Sequence, residues 1–388
     1  MSHPLLWTRL GCANVDKTRV YINRSKSSPL EICLGTDGLG RFCKGAFLAT
    51  VPHLGRLKTL SVFERSSVLQ VLVGHFSRPF PLLRVLKIGL AHKPTLTLPS
   101  TFSNGDLSSL CELILERCLM PLSWRGLENL TTFHLSHIPE GEILLAHFLV
   151  FFESAPRLHH IRLHYSIPNS PNSPPERLLS LPHLKKLSIL MDPLCFVLLN
   201  HLSIPSGASV VLQSHFSGAR SPILDHLPKP LDNFHNLSHI TVMNLCFGPD
   251  QRAVKLNGPS GELYASGCWE RECVSPYHGT NQLLWFLNRF DTSRCQLLRI
   301  SQYSQKPHFS RRIVAWATYQ FLLPMCNLQT FALTHCNNLP FILTLNPDKN
   351  PSGIVLCPTL GEIILWISRS DELHIDELLN MVQGRASS

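Results

Sequence analysis

Charge is scarce in this chain: Asp, Glu, Lys and Arg make up 16% of its 388 residues, against 44% hydrophobic ones. That balance excludes the polar, highly charged class of disordered proteins, because the chain has enough apolar surface to bury. Carboxylates are the scarcer sign, 26 acidic against 35 basic residues, for a formal net charge of +9. Such a surface favours anionic partners, which is a statement about association and not about fold. Long apolar runs are also missing, the longest, around Ile143 to Phe152, being about half a membrane span. The opening MSHPLLWTRLGCANVDKTRV lacks a basic stretch leading into an apolar one, so no secretory leader is expected. An intracellular protein of the cytoplasm and/or nucleus, with no membrane partner, follows from these absences.

Signatures of chemistry are missing in the same way. No G-x-x-x-x-G-K-[ST] loop, no G-x-S-x-G elbow and no H-E-x-x-H helix occurs, and the carboxylates are dispersed. Gly35-x-x-Gly38-x-Gly40 has the wrong spacing for a dinucleotide fingerprint and reads as a turn. The 13 cysteines are an odd number without short paired spacings, which fits reduced thiols better than a disulfide framework. Cys268, Cys273 and His278 form one His/Cys cluster and His159, His160 and His164 another, but neither has a zinc-site spacing. No catalytic residue, cofactor or metal is therefore expected, and the chain is not read as an enzyme. An arginine-rich run, an RNA-recognition aromatic signature and a helix-turn-helix cue are absent too, so nucleic acid is not the expected partner.

What the chain does have is one phrase repeated throughout: a proline or other helix stopper, one residue, then L-x-x-[LIF]-x-[LIV]. It occurs as PLLRVLKI (81–88), LSSLCELIL (107–115), PRLHHIRL (156–163), PHLKKLSI (182–189), HNLSHITV (235–242), CNLQTFAL (326–333) and PTLGEIIL (358–365). LGRLKTLSV (54–62) and LENLTTFHL (127–135) belong to the same set. Recurrence at intervals of about 20 to 33 residues is the signature of a leucine-rich repeat, one strand and one return element per unit. The expected fold class is therefore α/β, a horseshoe-like solenoid with parallel strands on its concave face and helices on its convex face. One long array is expected across residues 46–388, preceded by a capping segment at 1–45 and closed by an amphipathic capping helix at about 370–383.

Between the strand phrases the apolar residues recur at helical spacing in 66–76, 142–152, 280–290 and 310–323, with Ser66, Thr280 and Ser310 placed as N-caps. The prolines at 52, 81, 156, 182 and 358 stand two residues before a phrase-opening leucine, where a helix must stop. One phrase is missing between His235 and Cys295; there RAVKLNGPSGELYASG reads as a β-hairpin about Asn257 to Gly261. Cys118 and Cys336 fall at the ninth position of the repeat, where a small side chain packs at the turn after the strand. Polar, Pro-rich stretches at 166–175, 217–233, 301–311 and 346–353 read as exposed loops.

In L-x-x-L-x-L the leucines face the core, and the residues between and beside the last two face the other way. This reading places Glu112, Ile114 and Glu116 on the outer face, then Thr132, His134 and Ser136, then His160, Arg162 and His164, then Lys186, Ser188 and Leu190. Later strands add His239, Thr241 and Met243, Arg299, and Glu362, Ile364 and Trp366. Partner binding is accordingly expected on this face through His134, His160, Arg162, His164, Lys186, His239, Arg299 and Trp366. Its histidine-rich, basic middle calls for an acidic segment of a protein partner.

LLWTRLGCANVDKTRVYINRSKSSPLEICLG (5–35), HLGRLKTLSV, the W-x-G-L-x-N-L-T-x-F-x-L of 124–135, the F-F-E-S-A-P-R-L of 151–158 and the LNGPSGELY hairpin together resemble a fungal family of F-box and leucine-rich-repeat proteins. The resemblance covers essentially the whole chain. It implies the substrate-recognition region of a receptor in an SCF ubiquitin ligase, in which an F-box binds a Skp-type adaptor and the repeats hold the substrate. The stretch ahead of Trp7 is much shorter than an F-box, so adaptor binding is expected only if an F-box lies upstream. The alternative is a stand-alone leucine-rich-repeat scaffold with no ubiquitin-ligase role.

Overall fold

The computed structural model describes residues 3–387 apart from 36–42, 92–94, 103–105, 122–123, 125, 139–142, 166–167, 170–177, 191–192, 215–232, 238, 248–250, 260, 269–289, 303–317, 335–338, 351 and 367–373. They form a mixed α/β protein with a mostly parallel sheet. The chain divides into two compact units, Met1–Met191 and Asp192–Ser388.

In the first unit eight strands lie in chain order, all parallel: β1 (Arg9–Leu10), β2 (Leu30–Gly35), β3 (Leu57–Glu64), β4 (Val85–Leu90), β5 (Glu112–Glu116), β6 (Thr132–Ser136), β7 (His160–His164) and β8 (Lys186–Leu190). The repeated phrase sets their register. Ile32, Leu60, Leu86, Leu113, Phe133, Ile161 and Leu187 are cross-strand neighbours in one row, and Leu34, Val62, Ile88, Leu115, Leu135, Leu163 and Ile189 in the next. Every one of these side chains is buried. Each removes about 1.5–3 kcal/mol worth of apolar surface from water, and a one-residue slip would turn the whole set to the wrong face.

The opening leucine of each phrase is fixed by a turn. The amides of Leu83, Leu110, Leu130, Leu158 and Leu184 donate to the carbonyls of Phe80, Leu107, Leu127, Ala155 and Leu181, at 2.8–3.2 Å. Pro81, Pro156 and Pro182 thus occupy the second position of a four-residue turn, which their fixed φ favours. Their task is more local than ending a helix, and Pro52 differs by starting a 3₁₀ helix, Val51–Arg56. At the other end of the strands, Arg117, His137 and Tyr165 take left-handed backbone with φ of 54°, 59° and 48°. Each such residue costs about 1 kcal/mol. Their amides donate to Ser136, His164 and Leu190 at 2.7–2.8 Å, which extends the ladder by one rung and offsets that cost.

Helices α1 (Val15–Ser25), α2 (Lys44–Thr50), α3 (Ser66–Val73) and α4 (Leu145–Ser154) return the chain between strands. Helix α4 buries Leu145, Phe148, Leu149, Phe151 and Phe152, and Phe151 stacks 4.4 Å from Phe133 of β6. Phe47, Phe76, Phe102 and Trp124 form a chain of ring contacts, centroids 5.4–6.0 Å apart, running from α2 through later return segments. Arg65 caps α3, while Ser66 is its first residue and makes no capping bond; Thr280 and Ser310 lie outside the described residues. Cys118 is fully buried at the turn after β5, as the ninth-position reading requires, whereas Cys336 lies outside the described residues.

The second unit contains β9 (Ser209–Ser214), β10 (Val242–Phe247), β11 (Gln251–Gly258), β12 (Gly261–Cys268), β13 (Leu297–Gln302), β14 (Thr330–Thr334) and β15 (Glu362–Trp366), in the order β9-β12-β11-β10-β13-β14-β15. The hairpin β11–β12 is present and lies inside the sheet: β11 is antiparallel to both β10 and β12, while β12 runs parallel to β9. Val210, Leu263, Leu256, Met243, Leu298 and Phe331 line up across it, so the hairpin continues the core row.

That alignment corrects one outer-face assignment. Met243 is fully buried and Val242 is not, because the phrase here spaces its core residues as Leu237, Ile240, Met243 and Leu245. The extra residue is taken up at Thr241, whose amide donates to Asn257 of the hairpin while its carbonyl accepts from Gln296 and Leu297. Helix α5 (Leu339–Leu345) and the terminal α6 (Ile375–Ser387) complete the unit. Helix α6 begins with Asp376 and Glu377, where the helix dipole favours acids.

Candidate functional site

On the face of the first unit opposite the leucine rows, the strand register sets three polar rows. Thr59, Val85, Glu112, Thr132, His160 and Lys186 form the first; Ser61, Lys87, Ile114, His134, Arg162 and Ser188 the second; Phe63, Gly89, Glu116, Ser136, His164 and Leu190 the third. Five of the residues expected from the sequence, His134, His160, Arg162, His164 and Lys186, are therefore brought together on three adjacent strands, β6 to β8.

Charge on this face is segregated. The acids sit on β5 and are already paired: Glu112 with Lys87 of β4 at 2.8 Å, and Glu116 with Arg117 at 3.2 Å and His137 at 4.0 Å. On β7, β8 and the turns that feed them, residues 155–165 and 179–190 carry Arg157, Arg162, Lys185 and Lys186, four histidines, and no Asp or Glu. Arg162, Lys185 and Lys186 are exposed. At the strand starts His159 lies 6.2 Å from His183 and 6.4 Å from His160, ring to ring. Its pKa is lowered, by burial first and then by Lys185, His160 and His183. Cations here face cations, with water as their screen.

The central pair of histidines is neutral at physiological pH. Arg162 Nε donates to His164 Nε2 at 2.8 Å, which requires an unprotonated ring nitrogen as acceptor. His134 stands edge-on to His164 with centroids 5.3 Å apart, and its Nε2 is buried with no hydrogen-bond partner among the described residues. Burial, then the Arg162 guanidinium, pushes both rings down to about 4. The positive charge expected of this strip thus rests on Arg162 and Lys186, while His134 and His164 supply neutral hydrogen-bonding groups. Beyond them, His137 stacks on Tyr165 at 5.1 Å and 16°.

The other three expected residues belong to the second unit and are not gathered into one place. His239 lies in the turn before β10, its ring 3.4 Å from Arg294. Arg299 is exposed on β13, in a row with Asn244, Lys255 and Tyr264. Trp366, 55% exposed, ends β15.

Sequence reasoning missed Lys185, His159, His183 and Arg157. The signal was present, since both x residues of L-x-x-L lie off the core, and only the second had been assigned to a face. Among the described residues no group of three or more His, Cys, Asp or Glu is placed to hold a metal ion, and no helix is long and apolar enough to cross a membrane. Cys273 and His278 lie outside the described residues. Burial pushes the thiols of Cys12, Cys118 and Cys357 up to about 12 and that of Cys295 up to about 11, so these groups stay protonated and are poor nucleophiles at neutral pH. No family model, no curated protein and no solved structure matches the chain.

Proposed function

We propose that the chain is a leucine-rich-repeat recognition module that binds an acidic segment of a protein partner on the β6–β8 face of its first unit. The observation that carries this reading is the unpaired cationic strip of Arg162, Lys185 and Lys186 beside a β5 whose acids are already neutralised. An acidic ligand gains attraction over β7 and β8 and meets no free carboxylate there. Support for the leucine-rich-repeat reading comes from the parallel strands whose phrase leucines form continuous buried rows, and from the short turn that opens each phrase.

The resemblance to fungal F-box and leucine-rich-repeat proteins extends the proposal: the bound partner is a substrate presented for ubiquitylation, in the cytoplasm and/or nucleus. The test is quantitative affinity capture with the wild-type chain and the Arg162→Glu/Lys186→Glu variant, followed by identification of the proteins whose recovery depends on the strip. Loss of acidic-segment proteins from the variant, with a Skp-type adaptor and a cullin retained in both, supports the receptor reading. Strip-dependent partners without adaptor or cullin leave a stand-alone scaffold. Identical partner sets for the two chains overturn the assignment of the binding face.

A further inference from the structure

We infer that the strip takes up protons at His134 and His164 as it binds its acidic segment, so that binding tightens on mild acidification. This rests on the proposed binding face and adds a regulation to it. The geometry is that of two interlocked neutral rings beneath one guanidinium. His164 accepts from Arg162 Nε at 2.8 Å, and His134 packs edge-on against His164 with an Nε2 that has no hydrogen-bond partner among the described residues. A buried polar atom without a partner is a cost that a ligand oxygen relieves, and an imidazolium relieves it more fully, because a charge-assisted hydrogen bond is about twice as strong as a neutral one.

The surrounding groups decide the sign. From β5 comes Glu116, already engaged by Arg117 and by His137, and Glu112, engaged by Lys87 of β4. From β6 and its following turn come His134 itself and His137. From β7 come His160, Arg162 and Tyr165, and from β8 Lys186, with Lys185 just before it. In the free protein the cations on β7 and β8 oppose protonation of the pair, and the engaged acids of β5 do not compensate. A carboxylate docked on Arg162 reverses that field at the pair. Protonation of His164 then removes the acceptor from Arg162 Nε and turns the guanidinium toward the ligand, so proton and ligand favour each other. Because the rings touch, they titrate as a unit.

The experiment is isothermal titration of an oligoglutamate peptide onto the full chain at pH 7.5 and 5.5, in buffers of different ionisation enthalpy. Net proton uptake at pH 5.5 and a several-fold lower Kd than at pH 7.5 are expected. His134→Gln/His164→Gln should bind at pH 7.5 with affinity close to wild type and lose both the uptake and the pH slope; circular dichroism confirms that it is folded. Binding that is equally tight at both pH values with no proton uptake, or a slope that survives in the double variant, overturns the inference while leaving the binding face intact. No binding of the peptide at either pH, or binding unaffected by Arg162→Glu/Lys186→Glu, removes the underlying reading, and this inference falls with it.

Discussion

Phe63 lies across the third outer-face row with a glycine on each side. A Cβ at Gly89 would run into its ring, and one at Gly35, whose φ is +105°, would meet its backbone carbonyl. Gly89→Ala should therefore push Phe63 off the sheet and lower stability by about 1–3 kcal/mol, read from denaturant unfolding, whereas a protein that simply gains from a less flexible residue would be stabilised. At the same scale, the His134–His164 pair makes stability depend on pH. A histidine whose native pKa is depressed binds fewer protons folded than unfolded, so its contribution is complete above about 6.5 and is lost as pH falls toward 4. The loss should be about 1 kcal/mol for each half-buried ring, after allowing for the solvent that screens it. His134→Gln/His164→Gln should flatten the unfolding free energy across that interval; an unchanged slope would show that other groups control it.

Elements differ in how far the sequence disclosed them. The strands were legible because L-x-x-L-x-L fixes both period and facing, and rows such as Leu86, Leu113, Phe133 and Ile161 are buried as that pattern demands. The hairpin was legible from its Gly258 to Gly261 turn, but not its place within the sheet, since pairing between distant strands leaves no local trace. For the same reason the shift that buries Met243 went unseen: the phrase at 235–242 looks regular until Thr241 is bonded to Asn257. The neutral state of His134 and His164 was equally invisible, because it arises from burial and from Arg162 across the strand register. Helix α6 was foreseen as amphipathic, yet it anchors through Met381 and through Arg385, which donates to the carbonyls of Leu356 and Cys357 at 2.6 and 2.7 Å, and leaves Ile375, Leu379 and Val382 exposed. Met381→Ala should cost about 2–4 kcal/mol, while Leu379→Glu should stay within about 0.5 kcal/mol; thermal unfolding of the two variants distinguishes the anchoring face from the solvent face.

At the scale of the whole molecule, the excess of basic over acidic residues, 35 to 26, is not spread evenly. The first unit pairs its outer-face acids on one side and leaves its outer-face cations unpaired on the other, so a charged partner meets one attractive zone. Attraction of this kind weakens with added salt, because exposed charges are screened within about 8 Å at physiological ionic strength. The most direct measurement is fluorescence anisotropy of a labelled oligoglutamate peptide titrated with the full chain, its Arg162→Glu/Lys186→Glu variant, and a Lys58→Glu/Arg84→Glu variant of equal net charge altered away from β6–β8. At physiological salt the strip variant should weaken binding at least about tenfold, an effect of at least 1.4 kcal/mol, while the control variant changes it by less than about threefold. Equal losses in the two variants would mean that net charge alone draws the ligand, and would contradict a binding site on the β6–β8 face.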